Sequence, residues 1–324
     1  MMHFRIWITL ILAAQGSLMF GQEIPLTAEC VVRFATVAEG AEVLQAEDTF
    51  TQRLSRFDLQ SRLNTREEVS STDYRRSAAE DIQPWTDAFI ATVRPAVEQL
   101  AARVGEWNLP LPEEILLVCT KGNSEAGAPH TRGNAIVLPE KRIVRRPEDM
   151  LRLLAHELFH IASRQSPQWR DQLYATIGFQ PCDEVQLPAA DQRRRITNPD
   201  APIVQHYITV DVDGQSVDVA PVLFSSVAEF DPSHEKSFFA FLQVKFVQLE
   251  KQDGTWTPVL RDDGSFVGHA MGDLDGFMSQ VGRNTKYLIH PEEILADNFS
   301  YLVTGKKVAS PEVLTQIEAL LVSN

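Results

Sequence analysis

The run Leu154-Ala155-His156-Glu157-Leu158-Phe159-His160 carries the clearest chemistry in this 324-residue chain. On an α-helix, residues four apart lie on one face, about 6 Å from each other along the axis. Two imidazoles so placed can share one divalent ion, and zinc accepts such nitrogen ligands in tetrahedral geometry. Glu157 sits one position round from His156, where it can take a proton from a water beside the ion and ready that water for attack. A catalytic zinc needs a third protein ligand and one open position. The segment His290-Pro291-Glu292-Glu293-Ile294-Leu295-Ala296-Asp297 offers one. Pro291 suits the first position of a helix, so Glu293 and Asp297 fall four apart on one face. Glu293 can ligate, and Asp297 can accept a hydrogen bond from the far nitrogen of a ligating histidine, fixing its ring. Glu292 is open as an alternative ligand, and His290 as a ligand or substrate contact, although its place before Pro291 better suits a strand end or helix cap.

The pattern His156-Glu157-x-x-His160, followed by Glu293-x-x-Ala-Asp297, resembles that of the gluzincin metallopeptidases. Thermolysin-like enzymes share a glutamate ligand with an aspartate four later, and the membrane-bound prenyl-protein and heat-shock proteases use the E-x-x-A-D form found here. The resemblance covers two short helices and the strands before the first. The separation of 133 positions from His160 to Glu293 exceeds the spacing in those membrane proteases, whose spanning helices are also missing, so no single family is assigned. The resemblance implies an α+β, zincin-like metallopeptidase core and one Zn2+ held by His156, His160 and Glu293. It further implies Glu157 as general base, Asp297 behind a ligand ring, and a peptide or protein substrate. Such enzymes also place a His, Tyr or Arg where charge develops on the attacked carbonyl. Tyr287 is preferred, with His269, Arg283, His206 and Tyr207 open. In zincins the edge strand before the zinc helix pairs with substrate backbone, a role that would fall to Asn134–Pro139. Two rivals are a non-catalytic exported protein that keeps a metal for stability, and a zinc amidase acting on cell-wall material.

The elements that must position these groups are legible in part. Glu148–Arg164 reads as the strongest helix, with Pro147, Glu148 and Asp149 suiting its start. Glu114–Thr120 reads as a buried strand and Asn134–Pro139 as a second, separated by a turn-rich loop. Gln205–Leu223 reads as a hairpin turning at Asp213-Gly214, and Phe238–Gln248 as a strand. Further turns are expected at Asp253-Gly254 and Asp263-Gly264, and helices at Pro291–Val303 and Pro311–Val322. Upstream, apolar spacing predicts a helix over Ala41–Leu63 and another over Ala78–Val104, limited or kinked by Pro84 and Pro95. Residues 22–40 read as loosely attached. The composition shift at Leu109-Pro110-Leu111-Pro112 divides a mostly helical region, 22–108, from a catalytic region, 109–324, whose larger C-terminal part supplies Glu293.

Met1–Arg5 and the apolar run Ile6–Ala14 read as an export signal over residues 1–21, placing the mature protein in the periplasm or outside the cell without stable membrane embedding. A net charge of −14 argues against nucleic acid as a partner. Three cysteines allow at most one internal disulfide, for which Cys119–Cys182 is the expected pair, while Cys30 could cap the metal in a latent form. Arg142, Arg145 and Arg146 read as a solvated cationic cluster.

Overall fold

A computed structural model of the chain describes residues 23–143, 146–233 and 238–322. The expected export signal therefore lies outside the described residues, as does Arg145. Two sheets and a set of helices give an α+β architecture. Among the described residues no helix is long and apolar enough to cross a membrane.

The first sheet comprises β1 (Ile24–Pro25), β2 (Val31–Phe34), β3 (Glu114–Thr120), β4 (His130–Arg132) and β5 (Ala135–Pro139), in the order β1-β2-β3-β5-β4. β2, β3 and β5 run parallel, and β4 returns antiparallel on β5. Strands covered on both faces read as continuous apolar runs, and β3 shows why. Ile115, Leu117 and Cys119 enter one core, while Leu116 and Val118 enter another on the opposite face. β5 divides the same way, with Ile136 and Leu138 on the first side and Ala135 and Val137 on the second.

The second face is covered by α1 (Val37–Gln45), α2 (Thr49–Gln52), α3 (Arg56–Arg62) and α4 (Ser71–Glu80). The single helix expected over Ala41–Leu63 is therefore three. Asp48 and Ser55 each accept a hydrogen bond from the backbone N–H three residues on, and the residue there bonds back to the cap. These reciprocal caps satisfy unpaired N–H groups and restart the helix twice. The helix expected from Ala78 is likewise divided: α4 ends at Glu80, and α5 (Asp87–Val104) starts after Pro84 with Thr86 as its cap and carries Pro95 inside. Residues 24–34 are not loosely attached. They form β1 and β2, and β2 extends the sheet beside β3 with Val32 and Phe34 buried. The sheet thus draws strands from both sides of residue 108.

The first face carries α5 and α6 (Pro147–Gln165), followed along the chain by α7 (Pro167–Thr176) and α8 (Ala189–Gln192). The second sheet is antiparallel, built from β6 (Phe179–Pro181), β7 (His206–Val212), β8 (Gln215–Ser225), β9 (Leu242–Gln252) and β10 (Thr255–Pro258), with β11 (Gly268–His269) also on β9. The β7–β8 hairpin turns at Asp213 and Gly214, both at positive φ (53° and 80°), as a tight two-residue turn requires. The strand expected from Phe238 begins at Leu242, after a short 3-10 turn. α9 (Phe277–Val281), α10 (Pro291–Thr304) and α11 (Pro311–Val322) complete the chain, with α10 lying against α6.

No disulfide forms: Cys30, Cys119 and Cys182 are all free thiols. Cys119 and Cys30 are buried in the main core, whereas Cys182 packs against the apolar cluster of the second sheet. The expected Cys119–Cys182 pair thus belongs to different cores.

Candidate metal centre

α6 supplies His156, Glu157 and His160. Its start follows dipole logic, with Pro147 in the first turn beside Glu148 and Asp149. Its middle is held by burial of Leu151, Leu154, Ala155, Leu158, Phe159 and Ile161. α10 supplies Glu292, Glu293 and Asp297. His290 caps it, its Nδ1 accepting the Glu292 N–H at 3.1 Å, and Gly305 ends it at φ 65°, a left-handed conformation that glycine adopts without strain.

The packing of α10 on α6 brings the expected groups together across 137 residues of sequence. His156 Nε2 lies 3.2 Å from Glu293 Oε2, and His160 Nε2 lies 3.7 Å from the same oxygen. The two rings stand edge to face with centroids 4.8 Å apart. His156 Nδ1 donates to Asp297 Oδ1 at 3.2 Å, and Asp297 Oδ2 accepts from the Thr285 hydroxyl. Glu292, left open as a ligand by the sequence, instead stands behind His160. Its Oε1 accepts from His160 Nδ1 at 2.9 Å, and its carboxylate also takes the Ser163 and Tyr174 hydroxyls. Each ring is thus fixed by its own carboxylate, leaving Nε2 turned toward Glu293.

Glu157 is 4% exposed, and its Oε2 has no hydrogen-bond partner among the described residues. Burial, then the charge of Asp200, pushes its carboxyl up to about 7, against the opposing pull of the two histidines. Burial alone would strip protons from the rings. Neighbouring carboxylates outweigh it, raising His160 to about 9 and His156 well above its usual range. The cluster therefore carries surplus negative charge that draws cations. Together with the donor set of two imidazoles and a carboxylate, this fits a divalent ion.

A cavity of about 420 Å³ opens over these groups. Tyr287 lines it together with His156, Glu157 and Glu293. The tyrosine is 41% exposed, and the Glu293 charge, then burial, pushes its hydroxyl up. The other residues left open for the carbonyl do not line the cavity. His206 pairs with Asp171 at 2.9 Å, His269 with Gln248 at 3.0 Å, and Tyr207 packs at a tilt on Trp256. Nor does Cys30 line it. Arg142, read as solvated surface, does line it, as does Arg152, whereas Arg146 is exposed and paired to Asp149.

Two residues escaped the sequence reading. Asn198 Nδ2 donates to Glu293 Oε1 at 2.6 Å, leaving Oε2 for the rings. Asp200 is anchored by the Thr131 N–H at 2.8 Å and the Thr131 hydroxyl at 2.6 Å, and offers an oxygen within 4.8 Å of ligand atoms of Glu157 and His160. Both lie between α8 and β7 in a segment without periodicity, and the one local signal is the turn-forming run Asn198-Pro199-Asp200. The expected edge strand, Asn134–Pro139, is interior instead: β5 lies between β3 and β4, so the edge belongs to β4.

No family model, curated protein or solved structure matches the chain.

Proposed function

We propose that the chain is a zinc-dependent hydrolase of the zincin kind, acting on peptide bonds. The observation that carries this reading is the convergence of His156 Nε2, His160 Nε2 and Glu293 Oε2 beside the buried, unpartnered carboxylate of Glu157. The three converging groups would hold the ion, with Asp297, Glu292 and Asn198 fixing their orientation. A zinc ion bound there supplies Lewis acidity toward a carbonyl and acidifies water. Glu157, beside the converging ligands, accepts the proton of the attacking water and returns it to the leaving nitrogen. Tyr287, on the wall of the same cavity, is the donor we place at the developing negative charge. The export reading rests on Met1–Arg5 and Ile6–Ala14, and N-terminal sequencing of the mature protein tests it.

The deciding experiment is Glu157→Gln. The variant should fold and retain zinc yet lose peptide hydrolysis by about 100-fold or more. Retained zinc with no hydrolysis of peptides or muropeptides by the wild type would favour a structural metal. Turnover of muropeptides alone would make the protein a cell-wall amidase.

A further inference from the structure

The segment 195–202 borders the site through Asn198 and Asp200 and is tied down along its length. The Ser55 hydroxyl donates to the Arg195 carbonyl at 2.6 Å, and the Thr197 N–H donates to Asp58. Asn198 holds Glu293, and the Arg195 guanidinium donates to the Pro202 carbonyl at 2.7 Å.

Its effect on β4 decides what can bind. In the β4–β5 register Arg132 faces Ala135, Thr131 faces Ile136 and His130 faces Val137. Residues 132 and 135 close a two-residue turn as a hydrogen-bonded pair, so Thr131 belongs to the alternate pair and its N–H points outward. That is the single outward N–H of a three-residue edge strand, and Asp200 takes it. An extended peptide cannot add to this edge without displacing the segment.

The Asp200 oxygen near the site is within 4.8 Å of a Glu157 oxygen, and both residues line the cavity over the site, the Glu157 carboxylate having no hydrogen-bond partner at its fully buried Oε2. A primary ammonium fits beside the Asp200 carboxylate, to which it can donate a charge-assisted hydrogen bond, while Glu157 stays free for the water proton. A second metal ion fits less well, since His160 already turns Nδ1 to Glu292 and Nε2 toward Glu293.

The geometry points to a cleft bounded at β4 by this segment, in which Asp200 binds the free α-ammonium of the substrate, making the protein an aminopeptidase rather than an endopeptidase. The inference rests on the zinc-hydrolase reading, and binding can separate the two. The probes are alanine hydroxamate and its N-acetyl derivative, titrated calorimetrically into zinc-loaded wild type and Asp200→Asn. Asparagine keeps an oxygen for Thr131 while removing the charge. The free amine should bind the wild type about 10-fold or more tighter than the acetylated probe, and the preference should vanish in Asp200→Asn. Equal binding of both probes overturns the ammonium site while leaving the zinc centre standing. A preference that survives in the variant overturns the role of Asp200. Failure of both probes to bind a zinc-loaded protein rejects the hydrolase reading itself.

Discussion

At the scale of residues, the two histidines differ in how they are held. His156 is backed by Asp297, which shares the cavity wall, while His160 is backed by Glu292, 1% exposed and bonded by two hydroxyls besides. A carboxylate behind an imidazole fixes its orientation and raises its basicity as a ligand. Asp297→Asn and Glu292→Gln should each weaken zinc binding by about 10- to 100-fold, measured by competition with a chromophoric chelator. Unchanged affinity in both would mean that the rings are fixed by packing alone. Of these two partners only Asp297 was legible in the sequence, because its spacing from Glu293 is local to one helix. Glu292 could be placed only by knowing which side of α10 faces His160.

At the scale of elements, α6 is rigid because its inward face is packed. Phe159 lies against Trp169 and Phe299 with centroids 5.7 Å away in both cases, tying α6 to α7 and α10. Phe159→Ala should destabilise the fold by about 3–5 kcal/mol, read from denaturant unfolding. Because the same contact sets α10 against α6, zinc affinity should fall with it. α6, α10, β3 and the β7–β8 hairpin follow from periodicity and end signals. The divided helices α1 to α3 do not, because apolar spacing runs on through Asp48 and Ser55, whose caps override it.

At the scale of the whole molecule, a buried ionic network joins the N-terminal helices to the site. Arg62 bonds Asp58 and Glu125, Glu125 accepts the Tyr74 hydroxyl, and Asp58 accepts the Thr197 N–H. The network fixes both the loop carrying Ala128 and Pro129 and the segment carrying Asn198 and Asp200. Burial would raise the Glu125 carboxyl, but the charge of Arg62 overcomes it and holds the group below its ordinary 4.5. A depressed value means that the contribution to stability is complete above pH 4.5 and is lost as pH falls through the folded value. Glu125→Gln should therefore cost about 3 kcal/mol at neutral pH and flatten the loss of stability on acidification below pH 4.5. Thermal melts across that range check both effects, and an unchanged acid limb would exclude Glu125 from it.

Sequence by itself determined the features that depend on neighbours within a few turns or one strand: the paired imidazoles of α6, the Glu293–Asp297 spacing of α10, the buried runs of β3 and β5, and the turn at Asp213-Gly214. Helical and strand periods and tight-turn sterics are local, so residue order suffices. Tertiary structure alone decided that Glu292 stands behind His160, that β4 rather than β5 forms the edge, and that Asn198 and Asp200 enter the site. Glu292, Asn198 and Asp200 meet their partners across more than 60 residues of chain, and the edge follows from β5 lying between β3 and β4; packing rather than pattern settles such meetings.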